Sequence, residues 1–221
     1  TAYEMCGRDW SSDVCSSDLK HLTPVTLELG GRSPAIVCAD ADLAVAARRI
    51  VWGKFVNAGQ TCVAPDHVVV EREVADRLVS LMTAEIRSSF GEDAALSADY
   101  GRIINTHHVD RLDGLIRSSE AREVVGGIVD RDRRFVSPTL LIEPGPSTEV
   151  LADEIFGPIL PVLPVDDLDE TLRQMASGPT PLALYAFTGS DERARRILDT
   201  VPSGGAVINH TLLHLAVDRK S

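Results

Sequence analysis

Apolar positions along the chain fall into two alternating textures. Short β-rich runs occupy residues 25–29 (VTLEL), 35–38 (AIVC), 68–70 (VVV), 135–142, 159–165, 182–187 and 206–209. Between them apolar residues recur at helical spacing: Leu43, Ala46, Ala47, Ile50, Val51 and Phe55, then Val74, Leu78, Leu81, Met82 and Ile86, then Val109, Leu112, Leu115 and Ile116. Residues three and four apart share one face of a helix, so each set predicts a helix with a single apolar stripe. Asp40 and Asp42 give the first helix an acidic start, and Gly59 ends its pattern. Two more helical stretches lie around 167–176 and 191–200. Strands alternating with helices predict an α/β fold, a largely parallel, doubly wound sheet covered on both faces. Trp52 and Phe55 sit in the helical pattern and are expected in the core, while Pro158, Pro161 and Pro164 are expected at an edge or turn.

Residues 1–19 (TAYEMCGRDWSSDVCSSDL) break this pattern. Ser and Asp crowd them and their apolar residues follow neither period, so they read as loop or disorder. The rest of the composition, 44% hydrophobic and 25% charged, is that of a globular protein. A net charge of −11 argues against nucleic acid as a partner, because phosphate binding needs clustered Lys and Arg. No run approaches the roughly 20 apolar residues that cross a bilayer, and the first twenty positions have no signal-peptide pattern. A cytoplasmic protein without a membrane partner is therefore expected. Cys6, Cys15, Cys38 and Cys62 are irregularly spaced and outline neither a disulfide framework nor a metal pair.

Three stretches carry candidate chemistry. In parallel α/β sheets ligands usually bind beyond the carboxyl ends of the strands, so polar residues after a strand or in a Gly-rich loop come first. In VTLELGGRSP, residues 25–34, Glu28 ends an apolar run before two glycines. It either serves a site as a general base, its pKa raised by burial, or points to solvent from an edge strand. In NAGQTCVAP, residues 57–65, Cys62 lies in a loop among small and polar neighbours. A thiol so placed suits a nucleophile, whereas Cys38 inside PAIVC reads as a small buried hydrophobe. In DEIFGPILPV, residues 153–162, an acidic pair and Phe156 run into Gly157-Pro158. The carboxylates there are either solvated or accept hydrogen bonds from vicinal hydroxyls such as a ribose, with Phe156 as an apolar wall.

Together LELGG, GQTC with its cysteine 34 residues after Glu28, and EIFGP resemble the aldehyde dehydrogenase superfamily in order and separation. The resemblance runs from about Lys20 to His214. TCVAPDHV, GRIIN, SPTLL, PLALYAF and SGGAVINHTLLH are most similar to its class 3 or coniferyl-aldehyde branch. The resemblance implies oxidation of an aldehyde to a carboxylic acid with NAD or NADP. It implies Cys62 as the nucleophile that forms a thiohemiacetal and then a thioester, and Glu28 as the base that activates the hydrolytic water. Glu154 is implied to hold the nicotinamide ribose, Phe156 to pack beside the ring, and Leu29 and Gly30 to belong to the cofactor site. No catalytic metal is implied, so His107, His108, His210 and His214 are expected to be solvated or capping residues. The intact protein is implied to be a homodimer. A non-catalytic binding or assembly module of the same fold is disfavoured by the presence of Glu28, Gln60 and Cys62 together, and an acyl-phosphate or acyl-CoA reductase by Glu28.

On this reading residues 1–19 are a leader foreign to the family, resembling translated adapter sequence. Residues 20–58 are the end of a Rossmann-like cofactor domain and a connecting helix, 59–214 the catalytic domain, and 215–221 a truncated tail. The upstream Asn that supplies the family's second oxyanion donor is then missing, a loss that costs on the order of 10²–10³ in rate. With most of the cofactor domain absent, the chain as written is expected to bind NAD poorly. Isothermal titration is expected to show no saturation in the micromolar range; saturable micromolar binding of NAD contradicts this reading.

Overall fold

The computed structural model describes residues 30–215. Among these residues seven strands form one sheet: β1 (Ser33–Val37), β2 (Pro65–Glu71), β3 (Glu123–Val125), β6 (Thr139–Ile142), β7 (Ile159–Val165), β8 (Ala183–Phe187) and β9 (Gly205–Ile208). Their order across the sheet is β3-β6-β7-β2-β1-β8-β9. Only β3 runs antiparallel to its neighbour, β6; the other pairings are parallel. A separate hairpin pairs β4 (Val129–Asp130) with β5 (Phe135–Val136).

Among the described residues five helices cover the sheet: α1 (Leu43–Phe55), α2 (Arg72–Phe90), α3 (Thr106–Arg117), α4 (Leu168–Ala176) and α5 (Asp191–Thr200). Side chains alternate across each strand, and the alternation divides the core. Ala35, Val37, Val68, Val70, Tyr185 and Phe187 face the larger cluster with Ile50, Leu78, Met82 and Leu112. Ile36, Cys38, Val69, Leu184 and Ala186 face the smaller one with Leu168, Leu172 and Ile197. The strands buried on both faces are those read as continuous apolar runs, as a doubly wound sheet requires. Capping fixes the helix starts: the Asp42 carboxylate accepts from the Ala44 and Val45 N–H groups, and Asn105, Asp167 and Ser190 do the same for α3, α4 and α5.

The α/β expectation holds, and several local ones change. Phe55 is buried, but Trp52 is 48% exposed, and Lys54 is buried in its place. The stripe through Ala47, Ile50 and Lys54 follows i, i+3, i+7, and Trp52 falls off it. Pro161 and Pro164 lie inside β7, an interior strand, not at an edge. Pro161 stands opposite Leu141 of β6 and Pro164 opposite Val70 of β2, and neither has a registered partner on its other side. The sheet therefore accommodates both residues where the ladder makes no second pairing. The run 135–142 is two strands, broken at Ser137-Pro138, and β3 and β4 were not visible in the apolar pattern. β1 lies inside the sheet between β2 and β8. Among the described residues no helix is long and apolar enough to cross a membrane.

Candidate active site

Cys62, Gly30, Glu154 and Phe156 all lie just before a strand: Gly30 before β1, Cys62 before β2, and Glu154 and Phe156 before β7. The candidate site residues thus lie at the amino edge of the parallel strands, not at the carboxyl edge where ligands of such sheets usually bind. Charge fills the opposite edge. The helices that follow the neighbouring strands β1 and β8 lie on opposite faces, and in the crevice between these strands Thr188 Oγ1 donates to the Asp40 carboxylate at 2.8 Å. Arg193 bonds Glu71 there at 2.6 Å, and Glu71 also accepts from the Ala39 N–H at 2.5 Å. These residues bridge one another across the crevice, and Glu71 and Arg193 also border a cleft of about 390 Å³ with Asp166, Asp169 and Arg196.

The loop that carries Cys62 is built on left-handed backbone. Asn57, Ala58 and Gly59 have φ of 53°, 52° and 72°. For Ala58, which is fully buried, this conformation is uncommon and carries strain. Side-chain amides hold it. Asn57 Nδ2 donates to the Gln60 carbonyl at 3.0 Å, and Gln60 Nε2 donates back to the Asn57 carbonyl at 3.0 Å. Gln60 also donates to the Arg102 carbonyl at 3.1 Å and accepts from the Ile104 N–H at 3.0 Å, which fastens the loop to the segment before α3. Only an amide supplies donors and an acceptor in that arrangement. Gly59 is required for a second reason: a Cβ there would lie 2.3 Å from the Gly157 carbonyl oxygen. This contact joins the loop of Cys62 to the EIFGP segment.

Cys62 follows at the corner of a turn closed by the Ala64 N–H on the Thr61 carbonyl at 2.9 Å. It is half-buried. Tyr185 anchors the turn from β8, its buried hydroxyl donating to the Val63 carbonyl at 2.5 Å. Burial pushes that hydroxyl well above the usual tyrosine range; a bond from the Leu212 backbone opposes the rise, and the nearness of Cys62 adds to it. Cys38, by contrast, is buried in the smaller core, which pushes its thiol up to about 11. Of the two described cysteines, Cys38 is the more deeply buried, as expected of a small hydrophobe.

Glu154 folds onto the glycine pair before β1. A Cβ at Gly30 would fall 1.9 Å from Glu154 Oε2, so this seat exists because residue 30 is glycine. Burial raises the Glu154 pKa, the Gly31 backbone opposes the rise, and Asp66 adds to it while Lys54 and Arg111 oppose it. Gly30, Gly31, Arg32, His67 and Glu154 line a cleft of about 550 Å³. Phe156, 41% exposed and at φ 42°, faces a different hollow of about 380 Å³ with Asn57, Gln60, Arg102, Ile104 and Asn105. Glu154 and Phe156 thus flank the loop from two hollows instead of sharing one. Asp153, for which the sequence offered no role, is exposed. Glu28 and Leu29 lie outside the described residues.

Four residues that the sequence reading passed over surround Glu154. Lys54 is 1% exposed, and Asp66 is 3% exposed. Asp66 Oδ1 accepts from the Ile155 N–H at 3.1 Å, and Oδ2 from Arg32 Nε at 3.2 Å. Arg111 Nη2 donates to the Ile155 carbonyl at 2.7 Å. Burial alone would raise the Asp66 pKa, but the His67 side chain, Lys54 and the Ile155 N–H outweigh it and hold the carboxyl below its ordinary value. For Lys54 a signal existed, a lysine on the apolar stripe of α1. The others meet only in the folded chain. Among the described residues no group of three or more His, Cys, Asp or Glu side chains is placed to hold a metal ion. The His107 and His108 rings contact each other, and the His210 ring stands edge-on to Trp52.

Burial lowers Lys54 from 10.5 to about 8, against the attraction of Asp66 and then Glu154. Between those values the unfolded chain keeps a proton that the folded chain has released, so the lysine's contribution to stability rises with pH across that window. Urea unfolding from pH 7 to 10 is expected to show the wild type gaining stability relative to Lys54→Met, which lacks this titration. A difference between the two that stays constant over the range contradicts the assignment.

The family model described as the aldehyde dehydrogenase family matches residues 7–218, a span that begins inside the stretch set apart at 1–19. The chain is 43% identical over 204 residues to the dimeric NADP-preferring aldehyde dehydrogenase of Mus musculus, covering 92% of this chain and 45% of that protein. It is 44% identical over 197 residues to 4,4'-diaponeurosporen-aldehyde dehydrogenase of Staphylococcus aureus (strain NCTC 8325 / PS 47), covering 89% and 43%. Among solved structures, the substrate-bound state of Staphylococcus aureus AldH superposes with a TM-score of 0.87 at 42% identity, over 93% of this chain and 45% of that one. The chain spans less than half the length of the curated relatives it matches.

Proposed function

Because the chain belongs to the aldehyde dehydrogenase family, we propose that it forms the nucleophile-bearing part of an enzyme that oxidises an aldehyde to a carboxylic acid with NAD or NADP. The observation that carries this reading is the convergence, at one edge of the sheet, of a half-exposed thiol on an anchored turn and a carboxylate seated on two glycines. The cleft beside Glu154 suits a dinucleotide: its glycine floor lets a ligand approach the backbone, and a carboxylate accepts hydrogen bonds from vicinal hydroxyls. When bound there, the dinucleotide supplies the acceptor for the hydride that leaves the substrate carbon.

The remaining chemistry falls to the chain's own residues. The Cys62 thiolate adds to the aldehyde carbon, and its backbone N–H is the donor that steadies the oxyanion. Loss of the hydride converts that adduct into a thioester on Cys62. Glu28 takes a proton from water, the hydroxide adds to the thioester carbonyl, and the carboxylic acid leaves as the thiolate returns. A thiolate suits both halves of the cycle because it is a strong nucleophile and a good leaving group. The left-handed loop and the Tyr185 anchor serve this role by fixing the turn on which the sulfur and its N–H sit. The dimeric state named for the mouse relative extends to the intact protein in this proposal, as does residence in the cytoplasm.

An activated aryl ester tests the reading without cofactor, since acylation needs Cys62 and deacylation needs Glu28. The ester is expected to acetylate Cys62, detectable by mass spectrometry of the peptide that carries it, with slow release of the acid. Cys62→Ser is expected to abolish labelling and turnover. Glu28→Gln is expected to leave acylation intact and slow deacylation by on the order of 10²–10⁴, the usual worth of a general base. Turnover unchanged in Cys62→Ser assigns the chain to a non-catalytic role.

A further inference from the structure

From residue 152 to residue 158 the chain is neither helix nor strand, yet it carries Glu154 and Phe156. Irregular backbone must satisfy its polar groups elsewhere, and here three charged side chains do so. Arg32 donates to the Leu151 carbonyl and, at 3.4 Å, to the Ala152 carbonyl. Arg111 donates to the Ile155 carbonyl at 2.7 Å and approaches that of Phe156 at 3.5 Å. Asp66 accepts from the Ile155 N–H at 3.1 Å and pairs with Arg32 at 3.2 Å. Asp66 is therefore the hub: one oxygen holds the backbone next to Glu154, and the other holds the arginine that grips the residues just before it.

We propose that Asp66 is a positioning residue which, through Arg32 and the Ile155 N–H, holds the segment 151–156 so that the Glu154 carboxylate is presented to Gly30 and Gly31 and not to solvent. The assignment rests on the reading of Glu154 as the cofactor-holding carboxylate, and Asp66 acts on the reaction only through it. The chemistry favours such a hub. A buried carboxylate with a charged and a neutral donor is fixed in both position and charge state, and removing it leaves the Ile155 N–H without its acceptor and Arg32 with only its carbonyl partners. Lys54, buried between Asp66 and Glu154, balances the two negative charges that this arrangement brings together.

Amide hydrogen exchange on the full chain, followed residue by residue by NMR, reads this without cofactor or turnover. The Gly31 N–H reports whether Glu154 is seated, the Ile155 N–H reports the Asp66 bond, and Ile36, Val69 and Leu184 report the sheet. In Asp66→Ala the Gly31 and Ile155 amides are expected to exchange about tenfold faster or more, as loss of one buried hydrogen bond implies, while the sheet amides change by less than about twofold. Asp66→Asn keeps a carbonyl for Ile155 but loses the ion pair, so it is expected to restore Ile155 protection and leave Gly31 exchange raised. Arg32→Gln, at a partly exposed site, is expected to raise Gly31 exchange alone. If Asp66→Ala does not fold, these two variants decide the matter. Gly31 exchange unchanged in all folded variants, or raised only in step with the sheet amides, overturns the proposal. Either result leaves the ester test of Cys62 untouched, so the two readings fail separately.

Discussion

The approach of Gly59 to the Gly157 carbonyl is the contact on which the proposed site depends. It is possible only because residue 59 has no side chain and takes a positive φ. On one side of it stand the strained turn, the Gln60 clamp and Cys62; on the other stand Phe156 and Glu154, with Glu154 reaching back to a second glycine seat at Gly30. The two loops, about a hundred residues apart, meet where Gly59 carries no side chain, and the second reaches the segment before β1 where Gly30 carries none. The remaining interactions, Tyr185 on Val63 and Asp66 on Ile155, fix the two loops from behind.

This arrangement also accounts for the edge of the sheet at which the site forms. A doubly wound sheet leaves a crevice where helices diverge, between β1 and β8, and ligands commonly bind at its carboxyl end. Here Asp40, Glu71, Thr188 and Arg193 occupy that crevice and satisfy one another. At the amino edge the loops before β1, β2 and β7 are irregular, carry the glycines and leave open clefts. The residues of the proposed site lie at this amino edge, while the carboxyl edge holds a charged cleft of about 390 Å³ bordered by Glu71, Arg193 and Arg196.

Much of the fold could be read from periodicity because α1, α2, α3, β2, β7 and β8 each bury a continuous stripe or run. Where the reading failed, burial and pattern parted. Trp52 is apolar but off the stripe, Lys54 is charged but on it, and Glu123–Val125 is too short and too exposed to stand out as a strand. In the site, Cys62, Glu154 and Gly30 were legible from short motifs, each of which keeps its chemistry within a few residues. The Asp66 network was not, because Arg32 lies 34 residues from it, Ile155 lies 89 away, and Arg32 meets Leu151 across 119. No local pattern encodes such a hub, since each member in isolation is an ordinary charged residue.

The account stands on Cys62 sharing one pocket with the carboxylates assigned to it. The direct measurement is paramagnetic relaxation from a nitroxide on Cys62, with Cys6, Cys15 and Cys38 replaced by serine, serine and alanine. The strongest broadening is predicted at the amides of Glu28, Gly30, Gly31 and Glu154, with much weaker effects at Asp40, Glu71 and Thr188 on the carboxyl edge. Broadening that is strongest on the carboxyl edge, or absent at Glu28 and Gly30, would contradict the account.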